Sequence, residues 1–131
     1  LRQRPFDLNV ISNFQFEQMQ ARCAAGRHLS GPVSADAVDS EGALHDEIIS
    51  ECRARLWPVI HSRMDAKTTT AKGAPDFVIF ADAGRVFAVE CKTRTGKQTP
   101  EQIGWQMLLE RNGHAYRIVR SMADFLAVVN Q

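Results

Sequence analysis

Two carboxylates and one ammonium group are spaced in this chain as a phosphodiester-hydrolysing centre would need them. Asp76 follows Gly73-Ala74-Pro75, and Glu90 and Lys92 flank Cys91. Alternate residues of a strand share a face, so Glu90 and Lys92 point the same way and Val89 and Cys91 point to the other. Phe77 to Ala81 and Val86 to Val89 are apolar runs joined by the turn residues Asp82 to Arg85. If they pair as a hairpin, Asp76 comes level with Glu90, and two carboxylates converge beside one lysine. Such a pair with an open side suits Mg²⁺, a hard cation that takes oxygen ligands, and the Cys91 carbonyl is a further candidate ligand. A bound ion can activate water, shield phosphate charge and support a leaving oxygen. Lys92 is placed to orient the water and offset developing charge.

The elements that must position these groups follow from pattern and punctuation. Ser40 or Asp39 is a suitable N-cap, and Leu44, Ile48, Cys52 and Leu56 recur every four residues as one helical stripe that runs to Trp57 and stops at Pro58. Val59 to Arg63 reads as a short strand, and 65–73 as a polar loop. After the hairpin, Pro100 to Arg111 reads as a helix closed by Gly113, Ala115 to Val119 as a strand, and Met122 to Val129 as a final helix. The order α, β, β, β, α, β, α predicts an α/β fold with a mixed sheet flanked by helices. Upstream, Val10 to Ala25 reads as a separate helix and Ser30 to Ser40 as a linker. The division is therefore a helical extension over 1–38 and a core domain over 39–131.

Composition narrows the class without choosing a substrate. The 131 residues are 44% hydrophobic and 24% charged, as in an ordinary soluble domain, and no apolar run is long enough for a membrane span. Cys23, Cys52 and Cys91 lie far apart with no C-x-x-C spacing, which favours reduced thiols in a cytoplasmic setting, bacterial or phage, over a zinc knuckle. A net charge of +1 makes no case for nucleic acid. Local clustering does: Lys67 and Lys72 precede Asp76, while Arg94 and Lys97 follow Lys92, so two basic loops can flank one site and hold phosphates. Solvated loop charges are the alternative reading. The four histidines show no ligand-like spacing, although His45 stands one turn after Glu41.

Gly73-Ala74-Pro75-Asp76 followed by Glu90-Cys91-Lys92 resembles the PD-(D/E)XK nuclease signature, and more narrowly the VRR-NUC (virus-type replication-repair nuclease) family. Further residues carry the likeness: Glu41 with Leu44-His45, Arg63-Met64-Asp65, Thr99-Pro100-Glu101-Gln102 with Trp105, and Arg117 to Ser121. It runs from Glu41 to Phe125. The resemblance implies a restriction-endonuclease-like core and Mg²⁺- or Mn²⁺-dependent cleavage of DNA. It also implies a preference for Holliday junctions or other branched substrates, and a homodimer. By the same resemblance Glu41, Asp76, Glu90 and Cys91 form the metal set, and Gln102 joins Asp76, Glu90 and Lys92 in catalysis. Two of these have competing readings. Glu41 is favourable at a helix N-terminus through the dipole alone, and Thr99 with Gln102 fits a T-x-x-Q capping box. Two other functions fit the same residues: a binding module that keeps the fold without turnover, and a defence nuclease that cuts duplex DNA.

Overall fold

The computed structural model describes residues 35–62 and 71–131. The expected upstream helix and linker up to residue 34, the Arg63-Met64-Asp65 motif and Lys67 lie outside the described residues.

Helix α1, Glu41–Ala54, buries Leu44, His45, Ile48 and Cys52. Ser40 takes the N-cap position with extended backbone, but its hydroxyl makes no capping bond. The C-terminus departs from the expected stripe. Leu56 adopts a positive φ of 61°, and the amides of Leu56 and Trp57 turn back to the carbonyls of Arg53 and Cys52 at 3.1 and 2.9 Å. This is a Schellman closure with leucine where glycine is usual. Leu56 is thereby thrown out to 88% exposure, while Trp57 turns into the core. The four-residue stripe thus ends at Cys52, because the helix stops before a fourth repeat can face inward.

Strands β1 (Val59–His61), β2 (Phe77–Phe80), β3 (Val86–Cys91) and β4 (Ala115–Val119) form one four-stranded sheet in that order. The β1–β2 and β2–β3 pairs are antiparallel and β3–β4 is parallel. The sheet is mixed, as expected. Strand β3 lies inside it and is buried from Phe87 to Cys91, which is why its sequence reads as an almost continuous apolar run.

The two sheet faces have different covers. Phe77, Ile79, Phe87, Val89, Cys91 and Val119 pack with α1 residues and with Phe125 and Val129 of α3 (Met122–Val129) into the hydrophobic core. Helix α2, Pro100–Arg111, crosses between β3 and β4 and lies over the other face, where Glu90 and Tyr116 are found. Thr99 and Pro100 start it with a complete capping box. It ends in a second Schellman closure on Gly113, φ 83°, with Gly113 and His114 amides bonded to Glu110 and Leu109. Residues ahead of α1 are tied to the segments that leave β3 and β4: Val38 donates to the Arg120 carbonyl at 2.7 Å and accepts from the Arg94 amide at 2.9 Å.

Candidate active site

The register sets the two carboxylates opposite each other. Phe77 pairs with Val89 and Val78 with Ala88, so one step beyond the ladder Asp76 stands across from Glu90. The approach of the chain to Asp76 depends on Gly73. Its φ is +83°, and a Cβ there would lie 2.6 Å from the backbone carbon of Glu101 and 2.9 Å from the Gln102 nitrogen. The loop therefore touches the first turn of α2, where Trp105 Nε1 donates to the Lys72 carbonyl (3.2 Å) and Lys72 Nζ meets Glu101 (3.0 Å). Pro75 is buried behind Asp76, and Ser62 holds the pair from β1 through its amide to the Asp76 carbonyl (2.8 Å) and its hydroxyl to the Pro75 carbonyl (3.1 Å).

Glu90 is almost fully buried. Its Oε1 accepts from Lys92 Nζ at 2.9 Å and from Gln102 Nε2 at 2.5 Å. Glu90 and Lys92 do share a face, as strand alternation requires. Burial pushes the Glu90 carboxyl up to about 7, Asp76 adds to the rise, and Lys92 opposes it. Glu90 Oε2 is buried with no hydrogen-bond partner among the described residues. A buried carboxylate oxygen without a donor is costly unless a cation or water meets it.

Gln102 forms the capping box and also reaches Glu90, with opposite ends of one amide. Its oxygen accepts from the Thr99 amide at 2.8 Å and its backbone amide bonds Thr99 Oγ1 at 3.3 Å, completing the capping box. Its nitrogen is left to donate to Glu90. The cap fixes the rotamer that delivers the donor.

Asp76 Oδ2 accepts from the Cys91 amide at 2.8 Å and lies 3.4 Å from His45 Nε2. His45 Nδ1 is 3.0 Å from Nε2 of His61, whose ring stacks on Phe77 at 4.4 Å. The histidines have no ligand-like spacing in sequence, yet the fold brings His45 and His61 together beside Asp76. Spacing along the chain cannot reveal a pair contributed by α1 and β1. One signal was available: His45 follows Glu41 by four residues on the buried side of α1. Burial holds His61 below its ordinary value, with His45 adding to the effect.

Glu41 is half-buried in the first turn of α1. Burial chiefly raises the Cys91 thiol well above its ordinary range, and the charges of Asp76, Glu90 and Glu41 add to the rise. The four residues expected to form the metal set are thus electrostatic neighbours. His45, Asp76 and Cys91 also present one donor atom each within 4.8 Å of one another. Tyr116, buried on the Glu90 face and 3.5 Å from Gln98 Nε2, is a further neighbour that the sequence did not single out.

The basic residues separate into two groups. Lys72 is 83% exposed despite its contact with Glu101, and Lys97 is exposed. Arg94 instead directs Nη2 to the carbonyls of Ala35 and Ala37, at 3.1 and 2.8 Å, and so fastens the chain ahead of α1. Arg120, not singled out from sequence, does similar work by donating to the carbonyls of Thr93 and Gly96. Between them these arginines shape the loop that follows Lys92.

Comparison with known proteins agrees with this architecture. The profile of the VRR-NUC domain matches residues 15–123, beginning upstream of the motifs. A solved structure titled "VRR_NUC domain" superposes with a TM-score of 0.54 at 22% identity, covering 67% of this chain and 94% of the other, and that likeness shows the fold. No curated protein sequence matches the chain. With the profile spanning most of its length and the fold shared, the chain belongs to the VRR-NUC family of nuclease domains.

Proposed function

We propose that this chain hydrolyses phosphodiester bonds of DNA internally, with Mg²⁺ or Mn²⁺, and selects Holliday junctions or other branched forms as a homodimer. The observation that carries the reading is the buried Glu90, directly across from Asp76, held by Lys92 and Gln102 through one oxygen while the other has no hydrogen-bond partner among the described residues. A structural ion pair alone gives no reason to bury a carboxylate with an orphaned oxygen. An oxygen-coordinating cation supplies that reason, and Asp76, Glu90, the Cys91 carbonyl and Glu41 are the residues that would hold it.

When bound, such an ion supplies Lewis-acid polarisation of the phosphate and acidification of water. The chain's own groups do the rest. Lys92 Nζ, 9% exposed and 2.9 Å from Glu90, presents a fixed donor at the reaction centre, where it orients the attacking water and offsets charge developing on phosphorus. Gln102 holds the Glu90 carboxylate in one rotamer, so that oxygen placement does not depend on the ion. The Cys91 amide does the same for Asp76. Lys72 and Lys97, with Lys67 five residues before Lys72 in sequence, hold the phosphates on either side of the scissile bond, and Arg94 keeps its loop in place. Two such sites related by a twofold axis would cut a symmetric junction on both arms.

The test is a panel of junction, flap and duplex DNA incubated with Mg²⁺, Mn²⁺ or EDTA, for wild type and Asp76→Ala. Metal-dependent cutting that favours the junction and vanishes in the variant is expected. Binding without cleavage under every condition would point to a non-catalytic module, and preference for plain duplex to a defence role. Sedimentation across protein concentrations checks the dimer.

A further inference from the structure

The α1 side of Asp76 carries a donor set that the oxygen-ligand reading leaves unused. Asp76 lies at the margin between the two sheet faces. Glu90 and Lys92 belong to the α2 side, whereas His45 and the Cys91 side chain lie on the α1 side with the hydrophobic core. One ligand atom from each of His45, Asp76 and Cys91 falls within 4.8 Å of the other two. His45 Nε2 is buried, on a side chain only 4% exposed, and has no hydrogen-bond partner among the described residues; Asp76 Oδ2 approaches it to 3.4 Å.

We propose that His45 Nε2, the Asp76 carboxylate and Cys91 Sγ form a binding site for a first-row transition-metal dication of the zinc and cobalt class, sharing Asp76 with the oxygen-lined side. Nitrogen, oxygen and sulfur together suit such ions, while Mg²⁺ takes oxygen alone. Each donor is already positioned. The Cys91 amide fixes Asp76 Oδ2 next to the thiol of the same residue, at 2.8 Å. His61 lies 3.0 Å from the far nitrogen of the His45 ring, and His61 is in turn stacked on Phe77, its partner in the β1–β2 register. A ligating histidine characteristically donates its other ring N–H to a neighbour, and His61 Nε2 is placed to accept it. With that proton on His45 Nδ1, the Nε2 lone pair faces a carboxylate oxygen, an arrangement that calls for a cation between them. The competing arrangement puts the proton on Nε2, where it points at Asp76 over a long contact.

Ion binding forms nitrogen–, oxygen– and sulfur–metal bonds and releases the thiol proton of Cys91 to solvent. Occupation also engages Asp76. Its consequence for turnover rests on the reading of Asp76 as a Mg²⁺ ligand: the transition ion then competes with Mg²⁺-supported cleavage.

The experiment titrates the chelator-stripped full chain with Co²⁺ and follows the absorption spectrum. Visible d–d bands of low-coordinate cobalt and a near-ultraviolet thiolate-to-cobalt band are expected, saturating at one ion per chain. About one proton should be released per ion, with displacement by Zn²⁺ and resistance to a large excess of Mg²⁺. His45→Gln should weaken binding at least tenfold and Cys91→Ser should remove the near-ultraviolet band. Because Cys91 is a core residue, His61→Phe serves as a second probe, with affinity falling roughly ten- to a hundredfold through loss of the supporting contact. A spectrum without the thiolate band in wild type, or affinity unchanged in His45→Gln, overturns the site. A chain that binds Co²⁺ as described yet cuts no DNA with any ion keeps this site and loses the nuclease reading. Cleavage without the cobalt signature does the reverse.

Discussion

Replacing Gly73 by alanine tests whether the Asp76 loop is held by contact with helix α2. The residue has a φ of +83°, where a non-glycine residue costs about 1–2 kcal/mol. The added methyl would also sit 2.6 Å from both the backbone carbon and the Cβ of Glu101, and 2.9 Å from the Gln102 nitrogen. These are mostly backbone atoms at a capped helix start, so they cannot rotate away, and overpacking of this kind costs about 1–3 kcal/mol. Reduced freedom of the unfolded chain returns about 0.4–1 kcal/mol. The expected net loss is about 2–4 kcal/mol. Gly113→Ala is the control, because it has the same φ of +83° with nothing within 4 Å of the new carbon. It should cost only about 1 kcal/mol. Urea unfolding followed by tryptophan fluorescence measures both. The loop can instead relieve the contact by lifting off α2, which would shrink the stability loss but move Asp76 away from Glu90. A displacement near 1 Å at a reacting centre costs on the order of a hundredfold in rate, so cleavage would then collapse. Two alanine variants equal in stability to within about 0.5 kcal/mol, with wild-type cleavage in both, would refute the argument.

Three further outcomes follow from the same geometry. Leu56→Gly should stabilise the protein by about 0.5–1 kcal/mol, since Leu56 closes α1 at φ 61° while 88% exposed; a lowered melting temperature would contradict this. Gln102→Glu keeps an acceptor for the Thr99 amide but replaces the donor to Glu90 with a second carboxylate, so cleavage should fall at least tenfold with the helix intact, whereas Gln102→Ala should also lose about 1 kcal/mol of stability. Glu90, at about 7 when folded and 4.5 as its ordinary value, binds more protons in the native state between those limits. Stability of the metal-free protein should therefore decline as pH rises from about 4.5 to about 7 and then level off. The total is on the order of 3 kcal/mol, and Glu90→Gln should flatten the decline.

Much of this architecture could be read from local signals. The hairpin, the capping box, the glycine stop after Arg111 and the level pairing of Asp76 with Glu90 all follow from short-range pattern, and the structure has each of them. The end of α1 could not be read so, because a leucine in the left-handed region leaves the four-residue stripe intact in sequence while turning its last member outward. The roles of Arg94 and the His45–His61 contact were hidden for another reason. They depend on which element lies beside which, and charge clustering or spacing along one segment carries no information about a neighbour contributed by another.

The Gln102 result bears on how such sites are assembled. A capping explanation and a catalytic one look like rivals when residues are sorted by role, because either suffices for Thr99-Pro100-Glu101-Gln102. In the folded chain the carboxamide oxygen accepts from the helix N-cap and the nitrogen donates to Glu90, so the capping contact does not compete with the one to the carboxylate. The cap removes rotamer freedom that a free glutamine would have to give up on holding the carboxylate. The same economy recurs at Asp76: the Cys91 amide that fixes its carboxylate belongs to the strand residue between Glu90 and Lys92, so one peptide register places all three groups. A one-residue slip of β2 against β3 would therefore not weaken this centre by degrees. It would send Glu90 and Lys92 to one face with no carboxylate opposite, which makes strand register the quantity on which the site depends.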